Sequence, residues 1–156
     1  MEHKRIGRCL LGAGIAAGIG GAAVFFVYLA GVVQSSHLFP GYQFVLVLVG
    51  LCTLGLLYGL ALSEYMRICI RIGKNQSFCA ENARRLFRIS WDLFLAAGVW
   101  LLAQGAVLLP NVGCGMWQIA FFLFAVASAA MGVLAWAIGK LLSRAVELQE
   151  ENDLTV

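Results

Sequence analysis

The stretch FCAENARRLFRISW, residues 78–91, gathers Arg84, Arg85 and Arg88 beside Glu81 and Asn82. The chain around it is 62% hydrophobic and only 12% charged. Guanidinium groups fork onto carboxylates and phosphates, so this stretch is suited to binding an acidic partner or anionic headgroups. Other chemistry is harder to assemble. Cys9, Cys52, Cys69, Cys79 and Cys114 include no CxxC pair, so the paired thiols of a disulfide oxidoreductase are lacking. His3 and His37 are far apart in sequence, and the topology derived below sets them on opposite sides of a membrane. They are not expected to share a metal or haem. No phosphate-cradling glycine loop and no Ser/His/Asp spacing is apparent. An enzyme is therefore not expected, nor a cofactor, a metal or direct nucleic-acid binding.

The elements that position the arginines are apolar runs. Residues 9–33, 42–62, 93–109 and 116–138 contain no charged residue. About 20 apolar residues in a helix cross a hydrocarbon core of roughly 30 Å. Backbone amides in lipid must be paired within their own segment, so each run is predicted to be a transmembrane helix. The third is the shortest, with Trp91 and Pro110 as interfacial ends. The first follows the basic start MEHKRIGR but is longer than a secretory signal's apolar core, so it is read as an uncleaved helix. The expected fold is all-α: one domain over residues 1–156, a bundle of four transmembrane helices, with the lipid bilayer as its principal partner.

Lys4, Arg5 and Arg8 precede the first run. Arg67, Arg71, Lys74, Arg84, Arg85 and Arg88 lie between the second and third, and Lys140 and Arg144 follow the fourth. These account for all 11 basic residues, and the connections 34–41 and 110–115 hold none. Basic residues near helix ends stay on the cytoplasmic side. Both termini, segment 63–92 and tail 140–156 are therefore expected in the cytoplasm.

Segment 63–92 is expected to form a helical hairpin. Leu62, Tyr65, Met66, Cys69 and Ile70 continue the second helix along one face, Gly73 suits its C-cap, and KNQS reads as a turn. A second helix starts near Cys79. Ala83, Leu86, Ser90 and Leu93 form its inner stripe, Arg84, Arg85 and Arg88 project elsewhere, and Arg88 is spaced to pair with Asp92. The hairpin is expected either to rest on anionic headgroups or to dock a cytoplasmic partner.

Lipid tails are as apolar as leucine, so small residues must let helices approach. Gly14 and Gly18, Gly55 and Gly59, and Ser128 and Gly132 are the small-xxx-small pairs. Packing within one chain is the first reading, and a homodimer seam is the alternative. Gln104 is expected to make an interhelical hydrogen bond. Without an ionisable residue inside any run, a small transporter or channel component is the second-ranked function, and a structural membrane protein is the remaining alternative.

Two stretches, QSFCAENARRLFRISW and ELQEENDLTV, together with four membrane helices in this order, resemble the bacterial membrane family known as domain of unknown function 2975. Phe78, Glu81, Asn82, Arg84, Arg85, Leu86 and Ile89 match its cytoplasmic pattern, with Cys79 replacing a capping Ser or Thr. Glu151, Asp153, Leu154 and Thr155 match its tail. The likeness spans nearly the whole chain. The resemblance implies a protein of the bacterial cytoplasmic (inner) membrane that binds or restrains a small cytoplasmic helix-turn-helix regulator. Phe78, Glu81, Asn82, Arg84, Arg85, Arg88, Glu151, Asp153 and Leu154 would form the partner surface. The tail EENDLTV is acidic and the hairpin basic, so the tail is expected to fold back onto the arginine face, with Leu154 and Val156 near Leu86 or Phe87.

Overall fold

The computed structural model describes residues 2–34, 41–74, 79–108 and 115–154. These form four helices: α1 (Glu2–Gln34), α2 (Gly41–Gly73), α3 (Ala80–Leu108) and α4 (Gly115–Leu154). Each is long and apolar enough to cross a membrane.

Every helix outruns its apolar run. α1 has 33 residues and α4 has 40, about 50 and 60 Å at 1.5 Å per residue. α2 continues through SEYMRICIRI to Gly73, and the Lys74 amide closes the last turn on the Arg71 carbonyl at 3.0 Å. The Cys79 carbonyl accepts from the amides of Asn82 (2.9 Å) and Ala83 (3.4 Å), which opens α3. Cys79 thus begins the helix through its backbone.

Close approaches define the register. Gly7 meets Gly73, Gly18 meets Leu62 and Gly55 meets Phe25, so α1 and α2 are antiparallel. Gly132 meets Phe94 and Gly139 meets Leu86, so α3 and α4 are antiparallel too. Arg85 reaches Glu64 across α2 and α3. One end of the molecule therefore collects the start of α1, the α2–α3 connection, the end of α4 and nearly all the described charge.

Two core clusters lie along the helices. Val47, Leu51, Leu54, Ala96, Trp100, Phe121 and Ala125 form the one farther from the charged end, with Phe25, Tyr28 and Leu29 of α1 against it. Ala61, Ile68, Ile89 and Leu93 form the other, between α2 and α3. The outside is more apolar than water allows: Val27, Leu56 and Leu102 are 72%, 70% and 76% exposed.

The tail departs from expectation. Residues 150–154 do not fold back; α4 stays helical to Leu154, and Glu147–Glu151 are exposed. LSRAVELQEEN contains no glycine or proline and is rich in good helix formers, so continuing the helix is easier than breaking it. With Gly139 opposite Leu86 and Ala83, and α3 starting at Ala80, α4 projects roughly 15 Å past its neighbour. The side chains of Asp153 and Leu154, and all of Thr155 and Val156, lie outside the described residues.

Candidate functional site: the charged end of α2 and α3

The second half of α2 and the first half of α3 are amphipathic, and both turn polar groups toward each other. Glu64 is central. Its carboxylate is paired directly with the Arg85 guanidinium, and the two side chains are only 13% and 11% exposed. Arg85 uses its other terminal nitrogen on Glu81, one turn back on α3, at 3.0 Å. Arg88 and Arg67 approach the remaining Glu64 oxygen at 3.6 and 3.8 Å from the exposed side. The result is one fork-shaped donor held between two carboxylates, flanked by two solvated cations. Arg85 Nε is buried without a hydrogen-bond partner, so the guanidinium is constrained by packing as well as by charge.

This arrangement corrects two expectations. Arg85 does not project outward with Arg84 and Arg88; it is buried against α2. Arg88 turns to Glu64 rather than to Asp92, because Glu64 offers it a carboxylate from the neighbouring helix. Asp92 has no ion pair with a described residue. Asn82 and Ser90 are also buried, beside Ala83, Ile89 and Leu93. Asn82 and Arg85 thus face inward, whereas Arg84 and Arg88 are exposed and Glu81 is half-buried. Glu151 is exposed on the projecting part of α4, and Phe78 lies outside the described residues.

A neutral relay ties three helices together nearer the middle of the molecule. Trp100 Nε1 of α3 donates to Tyr58 Oη of α2 at 3.0 Å. The Tyr58 and Ser128 hydroxyls lie 2.5 Å apart, and Ser128 Oγ donates to the Phe124 carbonyl at 2.7 Å within α4. Stacking of Trp100 on Phe124, with ring centroids 5.1 Å apart, packs the same place. Interhelical hydrogen bonds inside membrane proteins contribute about 0.6 kcal/mol on average and up to about 1.7. Tyr58→Phe severs two links and is expected to lower stability by about 1 kcal/mol, with Ser128→Ala costing less. Unfolding of the two single variants and the double variant in detergent checks this, and a double-variant cost well below the sum identifies a shared network. Gln104 makes no interhelical hydrogen bond with a described residue.

The small residues divide by what they meet. Gly14 lies under the Tyr65 ring, Gly18 under Leu62, Gly55 under Phe25 and Gly132 under Phe94. Gly59 is exposed, with nothing near its missing Cβ. One close approach between backbones was missed by the sequence reading: a Cβ on Gly7 would sit 2.7 Å from the Gly73 Cα.

The family model described as Protein of unknown function (DUF2975) matches residues 33–156. The chain belongs to this family. The match holds α2, α3 and α4 entire, with the ion-pair cluster and the Tyr58–Trp100–Ser128 relay inside it. It begins at the end of α1, so the likeness is narrower than nearly the whole chain. No curated protein and no solved structure matches.

Proposed function

We propose that the chain is a multi-pass protein of the bacterial cytoplasmic membrane that holds a soluble protein at its charged, cytoplasmic end. The observation that carries this reading is the segregation of charge. Arg67, Lys74, Arg84, Arg88 and Arg144 are exposed at one end of four apolar helices. Cations near helix ends favour the cytoplasmic side. Trp91 and Trp136 support the same boundary: both are exposed, and the α3–α4 register sets them within about 3 Å of one height. Lys140 lies over the Trp136 ring, 4.9 Å from its centroid, as a cation beside an interfacial aromatic would.

Below that boundary, two features are available to a partner. One is the exposed arginine edge of α3, Arg84 and Arg88. The other is the projecting end of α4, with Glu147, Glu150 and Glu151 exposed. Opposite charges side by side suit a partner surface of alternating sign and set its orientation more than its affinity. A small helix-turn-helix regulator is the partner class that the family resemblance implies. Transport is the weaker reading: Glu64, Arg85 and Glu81 are engaged with one another beyond the uncharged runs.

The test is recovery of a soluble partner from detergent-solubilised membranes. Charge reversal at Arg84 and Arg88, or removal of residues 147–156, is expected to cut recovery at least about tenfold, since losing a charged contact at an interface costs on the order of 2 kcal/mol or more. Substrate flux in proteoliposomes with no soluble partner recovered would contradict the proposal.

A further inference from the structure

An open recess of about 250 Å³ lies between α1 and α2, lined by Gly7, Arg8, Leu11, Cys69, Ile70 and Gly73, with Lys74 at its edge. We infer that it is a binding site for an anionic phospholipid, whose phosphate lies between Arg8 and Lys74 and whose acyl chain runs along Leu11 and Ile70. The site does not depend on the soluble partner proposed above.

The recess exists because Gly7 and Gly73 bring two backbones together where ordinary side chains would hold the helices apart. Its floor is apolar and its rim is cationic. Arg8 and Lys74 are both exposed, and neither forms an ion pair with a described residue. Arg67, Arg85 and Arg88, by contrast, all face Glu64. The rim therefore has positive charge that no described residue neutralises, which suits a phosphodiester.

The apolar surface leading to the recess favours a lipid. Trp91 and Trp136 mark the boundary on α3 and α4, but α1 carries apolar side chains well past that height. Ile19, Ile15 and Ile6 are exposed on α1, and Ile70 is exposed on α2 beside the recess. From Cys9 to Val33 the sequence of α1 has no charge, and Arg8 ends that run. The lipid-facing surface on this side thus continues to the cations, and the boundary is lower here than on the α3–α4 side. Basic pockets between membrane helices on the cytoplasmic side are suited to anionic headgroups for this combination of reasons.

The full chain in detergent, titrated with phosphatidylglycerol and read by native mass spectrometry, tests the assignment. Arg8→Gln with Lys74→Gln is expected to weaken binding about tenfold or more, two cations near a membrane surface each contributing severalfold. Ile70→Glu, which adds a carboxylate to the recess, is expected to weaken it similarly. Lys140→Gln with Arg144→Gln removes the same charge elsewhere and is expected to change binding less than about twofold. Phosphatidylcholine is expected to bind weakly throughout. Undiminished phosphatidylglycerol binding by the Arg8/Lys74 variant would overturn the site, as would an equal loss in the Lys140/Arg144 variant. Displacement of the lipid by inorganic phosphate at comparable concentration would show a free-phosphate site and would overturn the lipid assignment.

Discussion

Replacing Arg85 by methionine is expected to lower the stability of the chain by about 3 kcal/mol, the largest effect of any single substitution at the charged end. The change leaves Glu64, with a side chain only 13% exposed, facing α3 without its direct partner, and it also frees Glu81. Breaking a buried pair from one side costs about 3–5 kcal/mol because an uncompensated charge remains. The lower end applies because Arg88 and Arg67 still approach Glu64 from solvent. Adding Glu64→Gln to the methionine variant should recover much of the loss, since paired removal of a buried ion pair is often close to neutral. Arg85→Lys should fall between, because an ammonium cannot fork onto Glu64 and Glu81 together. Thermal or denaturant unfolding of the three variants and the parent in detergent measures this. A methionine variant as stable as the parent would show that the pair is not closed in the folded protein.

The second large effect concerns glycine, and it is a ranking as much as a magnitude. Gly7→Ala is expected to cost about 2 kcal/mol, within the range for overpacking a tight contact. Its new methyl would meet the Gly73 backbone at 2.7 Å, and backbone cannot swing away. Gly14→Ala meets the Tyr65 ring at 2.7 Å, and that ring is tethered by a hydrogen bond from Tyr65 Oη to the Leu10 carbonyl at 3.3 Å, so it should cost less but still register. Gly18→Ala meets the end of Leu62, which can change rotamer, and should cost little. Gly59→Ala meets nothing and should be neutral or slightly stabilising. Equal losses at Gly7 and Gly59 would mean that the α1–α2 contact is not the one described.

These contacts show how much of the arrangement was legible in the sequence. The apolar runs located the four helices because lipid leaves a backbone few alternatives. The helix ends between α2 and α3 were legible as well: the stripe from Leu62 to Ile70, Gly73 as a cap and a start near Cys79 agree with α2 ending at Gly73 and α3 beginning at Ala80. Glu64 was missed, although the turn expected from KNQS holds its signal. Folding an antiparallel hairpin about residues 74–77 brings position 64 opposite 85–88, where the arginines stand. Reading α3 by itself instead suggested Arg88 with Asp92, since spacing along one helix says nothing of a carboxylate on another. Gly7 was overlooked because its partner, Gly73, lies one helix away and makes no motif with it. The tail was misjudged for a different reason. Opposite net charge suggested a fold-back, but exposed ion pairs contribute only about 0–1 kcal/mol each, too little to break a helix with good intrinsic propensity. The Tyr58–Trp100–Ser128 relay joins three helices and was legible only as isolated polar residues.

Residue accessibility in intact cells tests most directly the proposed orientation, in which the charged end of the chain faces the cytoplasm. Single cysteines at Gln34, Lys74 and Glu150, each exposed, are introduced into a chain whose five native cysteines have been replaced by alanine. A membrane-impermeant maleimide should modify only the Gln34 position in intact cells, and all three after lysis. Modification at Lys74 or Glu150 in intact cells, with none at Gln34, would contradict the account.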